Sequence, residues 1–187
     1  MRKLVVFNNI TLDGYFTGPG GDFGWAHAGP PDPEFDAFVA GNASGDGQLL
    51  FGRKTYDMMA GYWPTPLAAE QNPTVARGMN EMPKTVFSRT MRDAAWRNTS
   101  VAGGDLVDTV RRMKAEEGPD MVLLGSGSIV AQLAPAEAID EYQVVVNPVV
   151  LGRGRTMFEG VGAPVRLRLT ESRAFPGGKV FLRYVAR

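Results

Sequence analysis

The stretch MVLLGSGS, residues 121–128, joins an apolar run to a helical segment through two glycines. The apolar run Met121–Leu124 has no alternation with polar residues, which is typical of a central strand covered by helices on both faces. Residues 128–133 have a helical pattern. The stretch therefore predicts a strand, a tight turn and a helix, the repeating unit of an α/β fold.

The same order of elements extends outward along the chain. Apolar segments rich in Val, Leu and Phe occupy residues 3–7, 48–51, 85–88 and 142–151. Helical segments are predicted at residues 32–39, 55–59, 73–82 and 106–117. Leu106, Val110 and Met113 form one stripe of the last helix, and Asp105 is its expected N-cap. This alternation predicts a three-layer α/β sandwich with a mostly parallel central sheet.

The end of the chain follows a different pattern. Residues 165–169 and 179–185 alternate apolar and polar side chains on either side of the turn Pro176-Gly177-Gly178. Such alternation around a glycine-containing turn predicts an antiparallel hairpin. The central sheet is therefore expected to be mixed, with the hairpin at one side.

Composition limits the classes of function. A length of 187 residues fits one domain, residues 1–187. Twenty basic and twenty acidic residues give no net charge, which argues against nucleic acid or an anionic membrane as partner. The chain has no cysteine and one histidine, His27, so no metal site is expected. The apolar run near the start is too short for a signal peptide or a membrane span, so we expect a cytoplasmic protein.

Three predicted strands end in residues suited to binding anions. Gly52-Arg53-Lys54-Thr55, Ser88-Arg89 and Gly125-Ser126-Gly127-Ser128 each follow an apolar segment. Each glycine turn alone is equally explained as a tight connection, and each arginine as a surface cation. However, ligands of open α/β sheets bind at the carboxyl ends of the strands, where helix N-termini offer unpaired N–H groups. Together the three segments predict a site for a diphosphate with an additional phosphate.

The motifs taken together resemble the dihydrofolate reductase superfamily, and more closely its branch similar to the RibD C-terminal reductase domain of riboflavin biosynthesis. The resemblance implies a mixed sheet ending in a hairpin, NADPH as hydride donor and a homodimer. It is carried, in order along nearly the whole chain, by Leu12-Asp13-Gly14, Leu50-Phe51-Gly52-Arg53-Lys54-Thr55-Tyr56, Tyr62-Trp63-Pro64, Lys84-Thr85-Val86-Phe87-Ser88-Arg89-Thr90, Gly125-Ser126-Gly127-Ser128, Ile139-Asp140-Glu141 and Pro148-Val149-Val150-Leu151-Gly152-Arg153-Gly154.

The resemblance also implies roles for the three anion-binding segments. Gly52, Arg53 and Thr55 would hold the phosphates of the cofactor, and Ser88 and Arg89 would meet the 2′-phosphate that distinguishes NADPH from NADH. The pyrophosphate would be covered by Gly125, Ser126, Gly127 and Ser128. The implied activity is NADPH-dependent reduction of a small heterocyclic or carbonyl compound, as in dihydrofolate reductase or 5-amino-6-(5-phosphoribosylamino)uracil reductase.

The substrate side is less defined by the sequence. Candidates for substrate binding are Asp13, Trp25 and Phe35, and candidates for catalysis are Asp36, Glu34 and Asp13. Relatives that reduce folate carry a carboxylate on the corresponding helix, but which of Asp32, Glu34 and Asp36 takes that place is open. Asp13 is also explained as a turn residue, Asp32 or Glu34 as favouring the helix dipole, and Trp25 as a loop anchor.

Other function classes and the pathway are left open as well. A catalytically silent nucleotide-binding or sensor module would retain the anion site, whereas a dimeric structural domain would bind no cofactor. The riboflavin enzyme usually carries a zinc deaminase domain, which this sequence lacks together with its His and Cys ligands. The substrate and the pathway therefore cannot be transferred from the resemblance.

Overall fold

A computed structural model of the chain describes residues 1–43 and 45–187. Its strands are β1 Leu4–Thr11, β2 Tyr15–Thr17, β3 Gln48–Gly52, β4 Lys84–Phe87, β5 Thr99–Ala102, β6 Met121–Leu124, β7 Glu141–Asn147, β8 Arg155–Thr156, β9 Leu167–Ala174 and β10 Val180–Ala186. Its α-helices are α1 Pro33–Ala43, α2 Arg53–Tyr62, α3 Pro66–Gln71, α4 Pro73–Glu81, α5 Leu106–Ala115 and α6 Gly127–Leu133. Two short 3₁₀ segments, Pro19–Gly21 and Gly24–His27, lie in the loop before α1.

The central sheet has eight strands in the order β5-β4-β3-β6-β1-β7-β10-β9. The pairs from β5 to β7 are parallel, while β10 is antiparallel to both β7 and β9. The predicted mixed, mostly parallel sheet with a C-terminal hairpin is therefore confirmed. A second, two-stranded antiparallel sheet pairs β2 with β8, which the sequence did not predict.

Helices cover the sheet on both sides, as the predicted three layers require. On one side, Leu4, Val6 and Leu123 are fully buried in a cluster with residues of α5 and α6. On the other side, Phe51 packs with α2 and α4, and Val145 packs with α1 and the hairpin. Each fully buried Leu or Phe contributes roughly 1.5–3 kcal/mol relative to an exposed one, so this core is the main support of the fold.

Several strand boundaries predicted from the sequence were wrong, and two elements were missed. The strand predicted at 142–151 ends at Asn147, because Pro148 follows and cannot donate a ladder hydrogen bond. The first hairpin strand, predicted at 165–169, runs over Leu167–Ala174. Helix α3 and strand β5 were missed, although Thr65 caps α3 and Pro66 begins it. The predicted cap Asp105 is confirmed, since its side chain accepts a hydrogen bond from the Asp108 N–H.

The strand register brings the anion-binding segments to one edge. Leu50 of β3 pairs with Leu123 of β6, and Gly52 pairs with Phe87 of β4. The residues that follow these parallel strands therefore leave the sheet at a similar level. This edge holds the starts of α2 and α6 together with Ser88-Arg89.

Two classes of feature are missing from the described residues. No helix within residues 1–43 and 45–187 is both long enough and apolar enough to cross a membrane. The same residues contain no group of three or more His, Cys, Asp or Glu side chains arranged to hold a metal ion.

Candidate functional site

The starts of α2 and α6 are joined by the hydroxyl of Ser126. Its Oγ accepts a hydrogen bond from the Gly52 N–H at 2.7 Å and donates to Thr55 Oγ1 at 3.1 Å. These contacts span 74 and 71 residues of sequence. The structure thus brings together three of the residues predicted to bind the cofactor, from two separate strand-to-helix turns.

The turn before α6 has a conformation that few sequences can adopt. Gly125 and Ser126 both lie in the left-handed region, each with φ of 62°. A Cβ atom on Gly125 would come within 2.8 Å of Thr55 Oγ1, and one on Gly127 within 3.0 Å of the Phe16 ring. Position 125 therefore requires glycine, both because its φ is positive and because a Cβ would collide with Thr55. Ser126 adopts the same left-handed conformation at a conformational cost.

Backbone N–H groups at this edge have been left without side-chain caps. Among the described residues, no side chain accepts a hydrogen bond from the first turn of α2 or of α6. By contrast, Asp105 caps α5 and Thr65 caps α3. Uncapped N–H groups with the partial positive charge of a helix start favour an anion. The predicted anion site therefore has unused donors on both joined turns.

The two predicted arginines differ in what they contact. Arg53 Nε lies 2.7 Å from Asp57 Oδ2 in an exposed pair one helical turn apart. Arg89 is exposed and forms no ion pair with another residue of the described chain. Beside it, Ser88 Oγ accepts hydrogen bonds from the N–H groups of Thr90 and Met91, which shape the turn after β4. Arg89 is thus the cation with no competing carboxylate.

A buried asparagine that the sequence analysis did not single out contacts the same turn. Asn8, on β1, is 6% exposed. Its Oδ1 accepts a hydrogen bond from the Gly125 N–H at 2.9 Å, and its Nδ2 lies 3.4 Å from the Gly125 carbonyl oxygen. These partners are 117 residues apart, so only the pairing of β1 with β6 reveals them.

Asp13 serves as a link between two loops. Its carboxylate accepts hydrogen bonds from the Thr11 hydroxyl at 2.6 Å, the Gly152 N–H at 2.7 Å and the Leu151 N–H at 3.2 Å. The Thr11 hydroxyl, ahead of the two N–H groups, lowers the pKa of Asp13. The group is therefore ionised at neutral pH with its oxygens occupied. Its assignment as a proton donor stays a prediction that this geometry does not support.

The three carboxylates around α1 have separate environments. Asp32 is 6% exposed and accepts hydrogen bonds from the N–H groups of Phe35 at 3.0 Å and Gly177 at 2.7 Å. Burial raises the pKa of Asp32, but these N–H donors and the charge of Lys179 outweigh it and lower the pKa overall. Asp32 therefore caps α1 and ties it to the hairpin turn.

The other two carboxylates lie on the exposed part of α1. Glu34 forms an ion pair with Arg173 on β9, with 2.6 Å between Oε1 and the guanidinium nitrogen. Asp36 is exposed, and its carboxylate forms no hydrogen bond or ion pair in the described part of the chain. Of the three candidates on this segment, Asp36 alone has a carboxylate that no such contact engages.

The two predicted aromatic contacts to substrate are both buried. Trp25 is 9% exposed, and its buried Nε1 has no hydrogen-bond partner within residues 1–43 and 45–187. Phe35 packs edge-to-face on Phe175, with 5.1 Å between ring centroids, and belongs to the core under α1. Their roles in substrate binding stay predictions. The unpaired indole N–H is a group that a ligand or a loop movement would satisfy.

Comparison with known proteins identifies the family. The sequence profile of the RibD C-terminal domain matches residues 2–181. The chain belongs to the RibD C-terminal domain family. Among curated relatives of this RibD C-terminal domain, the uncharacterized protein YyaP of Bacillus subtilis is 27% identical over 184 residues, covering 98% of this chain and 94% of YyaP.

Solved structures share the fold of this RibD C-terminal domain. A protein described as a riboflavin biosynthesis protein from Shewanella sp. PV-4 superposes with a TM-score of 0.79 at 21% identity, covering 99% of both chains. Dihydrofolate reductase from Enterococcus faecalis, solved with NADP(H), superposes with a TM-score of 0.67 at 14% identity, covering 99% of this chain and 96% of that chain. The chain therefore has the fold of these solved proteins.

Proposed function

We propose that this RibD C-terminal domain is an NADPH-dependent reductase of a small heterocyclic or carbonyl compound. The proposal is carried by one observation, the 2.7 Å hydrogen bond from Gly52 to Ser126 that joins two helix starts with no side-chain cap among the described residues. A dinucleotide needs such a cluster of backbone donors for its pyrophosphate.

The residues present fit the cofactor. The N–H groups that open α2 and the turn at Gly125, Gly127 and Ser128 would hold the pyrophosphate, and the missing Cβ atoms at both glycines leave room for Thr55 and Phe16 to pack against this turn. Ser88 and Arg89 would bind the 2′-phosphate, for which the planar guanidinium is suited. The cofactor supplies the hydride, while this chain binds it, orients it and excludes water.

Proton supply to the substrate would come from Asp36 or from water. Asp36 is the carboxylate on α1 with no partner in the described chain, whereas Glu34 is held by Arg173 and Asp32 by two N–H groups. Asp13 would act by fixing the loops beside the substrate rather than by giving up a proton. Trp25 would line the substrate side, where its unpaired Nε1–H is a donor for a carbonyl or ring nitrogen.

Titration with NADPH and with NADH tests the proposal. We expect a Kd in the micromolar range for NADPH and weaker binding of NADH, measured by calorimetry or by Trp fluorescence. Turnover is then followed as loss of NADPH absorbance with pyrimidines, pterins and reactive carbonyls, including 5-amino-6-(5-phosphoribosylamino)uracil. A Kd above about 1 mM, or equal affinity for both cofactors, would contradict the proposal.

A second function is favoured by the engagement of the carboxylates. Asp13, Asp32 and Glu34 all contact donors of this chain, so Asp36 is the one candidate left to exchange a proton with a substrate. A nucleotide-binding sensor would retain the phosphate site without such a group. Binding of NADPH with no oxidation across the whole panel would support this function and reject the reductase.

We further propose that the protein acts as a cytoplasmic homodimer on a small-molecule substrate and not on nucleic acid. Partly exposed apolar side chains support a dimer, since Phe158 is 44% exposed and Leu169 on β9 is 49% exposed. Phe158 lines an apolar hollow of about 410 Å³ together with Tyr142 and Leu167, and Leu169 follows Leu167 on the same strand. Light scattering after size exclusion measures the mass, and a monomer at micromolar concentration would reject the dimer.

A further inference from the structure

Asn8 is an unusual residue for its place on β1. The side chains on the same side of this strand, Leu4, Val6 and Ile10, are apolar and belong to or pack against the core cluster under α5 and α6. A buried amide in such a row is costly unless its hydrogen bonds are satisfied. Both polar atoms of Asn8 are directed to the backbone of one residue, the N–H and the C=O of Gly125, which belong to the two peptide groups on either side of its Cα.

The turn that Asn8 contacts needs restraint. Gly125 and Ser126 are consecutive left-handed residues, and this conformation is strained at Ser126 because the residue carries a Cβ. Two restraints act on the turn from opposite sides. The Ser126 hydroxyl bonds Gly52 and Thr55 on the β3 side, and the Asn8 amide bonds Gly125 on the β1 side.

We propose that Asn8 is a positioning residue for nucleotide binding, which acts by holding the Gly125 peptide so that the following N–H groups stay set for the pyrophosphate. The inference rests on the proposed function, since it assigns the turn to that ligand. Asn8 itself is buried, so it would act on a bound ligand only through the turn.

The role predicts which part of the cofactor depends on Asn8. The turn serves the pyrophosphate, whereas Arg89 follows β4 and serves the 2′-phosphate. Loss of the Asn8 amide should therefore weaken ligands that contain a pyrophosphate, such as ADP-ribose. A ligand with the 2′-phosphate but no pyrophosphate, such as 2′-AMP, should keep its affinity. Loss of Arg89 should have the reverse effect.

The test compares Asn8→Leu with substitution of a half-buried asparagine that also makes several hydrogen bonds. Asn80 donates to the carbonyl oxygens of Trp63 and Ala76 at 2.9 and 2.8 Å and accepts a hydrogen bond from the Trp96 indole at 2.7 Å. It lies next to Lys84 at the start of β4, at the opposite end of the strand from the candidate site. We expect Asn8→Leu to weaken ADP-ribose and NADPH by about tenfold or more, with 2′-AMP changed less than about twofold. Asn80→Leu should destabilise the fold but leave all three affinities within about twofold once unfolded protein is accounted for.

Equal loss of affinity in both variants, or loss of 2′-AMP binding in Asn8→Leu, would overturn the inference. Hydrogen exchange of the Gly125 amide in the protein without ligand gives a second measurement. Asn8→Leu should speed this exchange, while Asn8→Asp, which keeps the acceptor, should preserve protection. If wild-type protein binds no NADPH, the proposed function fails, and unchanged Gly125 exchange in Asn8→Leu would separately reject the restraint.

Discussion

The Asp13 carboxylate accepts a hydrogen bond from the Gly152 N–H at 2.7 Å across 139 residues of sequence. This contact links the turn between β1 and β2 to the loop between β7 and β8. Because β2 and β8 pair directly after these segments, Asp13 fixes the entry to the small sheet. Phe16 of β2 in turn packs beside Gly127, so the link reaches the turn that begins α6.

Replacing Asp13 by Ala is expected to lower the melting temperature at neutral pH. In acid, the difference in melting temperature between wild-type protein and this variant should be smaller. The pKa of Asp13 is lowered below its usual value of 3.8, chiefly by the Thr11 hydroxyl. A depressed pKa contributes stability above the unfolded value and loses it as pH falls through the folded value. Melting curves of both proteins from pH 7 to pH 3 measure this, and a constant difference would contradict the role.

Replacing Arg89 by Ala should weaken NADPH and spare NADH. A charge-assisted contact to the 2′-phosphate contributes about 1.5–3 kcal/mol, which corresponds to roughly 10- to 150-fold in Kd. Arg168→Ala is the control, because Arg168 is exposed on β9 at the far side of the sheet. Equal weakening of both cofactors in Arg89→Ala would remove Arg89 from the 2′-phosphate site.

Two isosteric substitutions distinguish the catalytic roles of the carboxylates on α1. Asp36→Asn should lower kcat by about a hundredfold, the usual range for a lost proton-transfer group, without lowering NADPH affinity. Glu34→Gln should change kcat little, because Glu34 is engaged by Arg173. The measurement is NADPH oxidation with a panel compound that wild-type protein reduces. Unchanged kcat in Asp36→Asn would assign the proton to water.

Lys84 gives a prediction about alkaline stability. Its Nζ donates to the carbonyl oxygens of Met79 and Met82 at 2.8 and 2.6 Å and lies 4.6 Å from the Trp96 ring centroid. Burial, followed by the charge of Arg97, lowers the pKa of Lys84 from 10.5 to about 8. The unfolded chain therefore binds more protons than the folded chain between these two values, so stability contributed at this site rises with pH across that window.

The comparison uses Lys84→Met. The unfolding free energy of wild-type protein should rise relative to this variant by up to about 3 kcal/mol as pH increases from about 8 to 10.5. Lys54→Met, at an exposed position, controls for the loss of a lysine elsewhere. Denaturant titrations at several pH values measure the change, and parallel curves for wild-type protein and Lys84→Met would refute the shifted pKa.

Much of the fold could be predicted because strong local signals agreed with the tertiary structure. Met121–Leu124 matched its strand end to end, since both sides are covered and glycine follows at once. Strand β5, Thr99–Ala102, was missed because it is short, half-polar and at an edge, where burial imposes no apolar pattern. The strand predicted at 142–151 was too long, because the apolar pattern continues through Val149 to Leu151 although the pairing with β1 ends at Asn147.

The candidate site likewise contains features that the sequence indicates and contacts that only the tertiary structure shows. The glycine turns and Arg89 could be proposed from the sequence because glycine and arginine after a buried strand carry a local signal. The Asn8 contact could not be found, since it depends on the register of β1 with β6 rather than on neighbouring residues. The ion pair of Arg53 with Asp57 was readable from the four-residue spacing, and the one between Glu34 and Arg173 was not.

The position of β1 also bears on how the protein is made. Leu4 pairs with Met121 and Val5 with Glu141, so β1 is made well before the two strands between which it lies in the sheet. At about 5–20 residues per second, translation takes on the order of ten seconds to deliver β6. During that interval the apolar side chains of β1 have no sheet partner on either side, so the centre of the sheet can close only after β6 and β7 have been made.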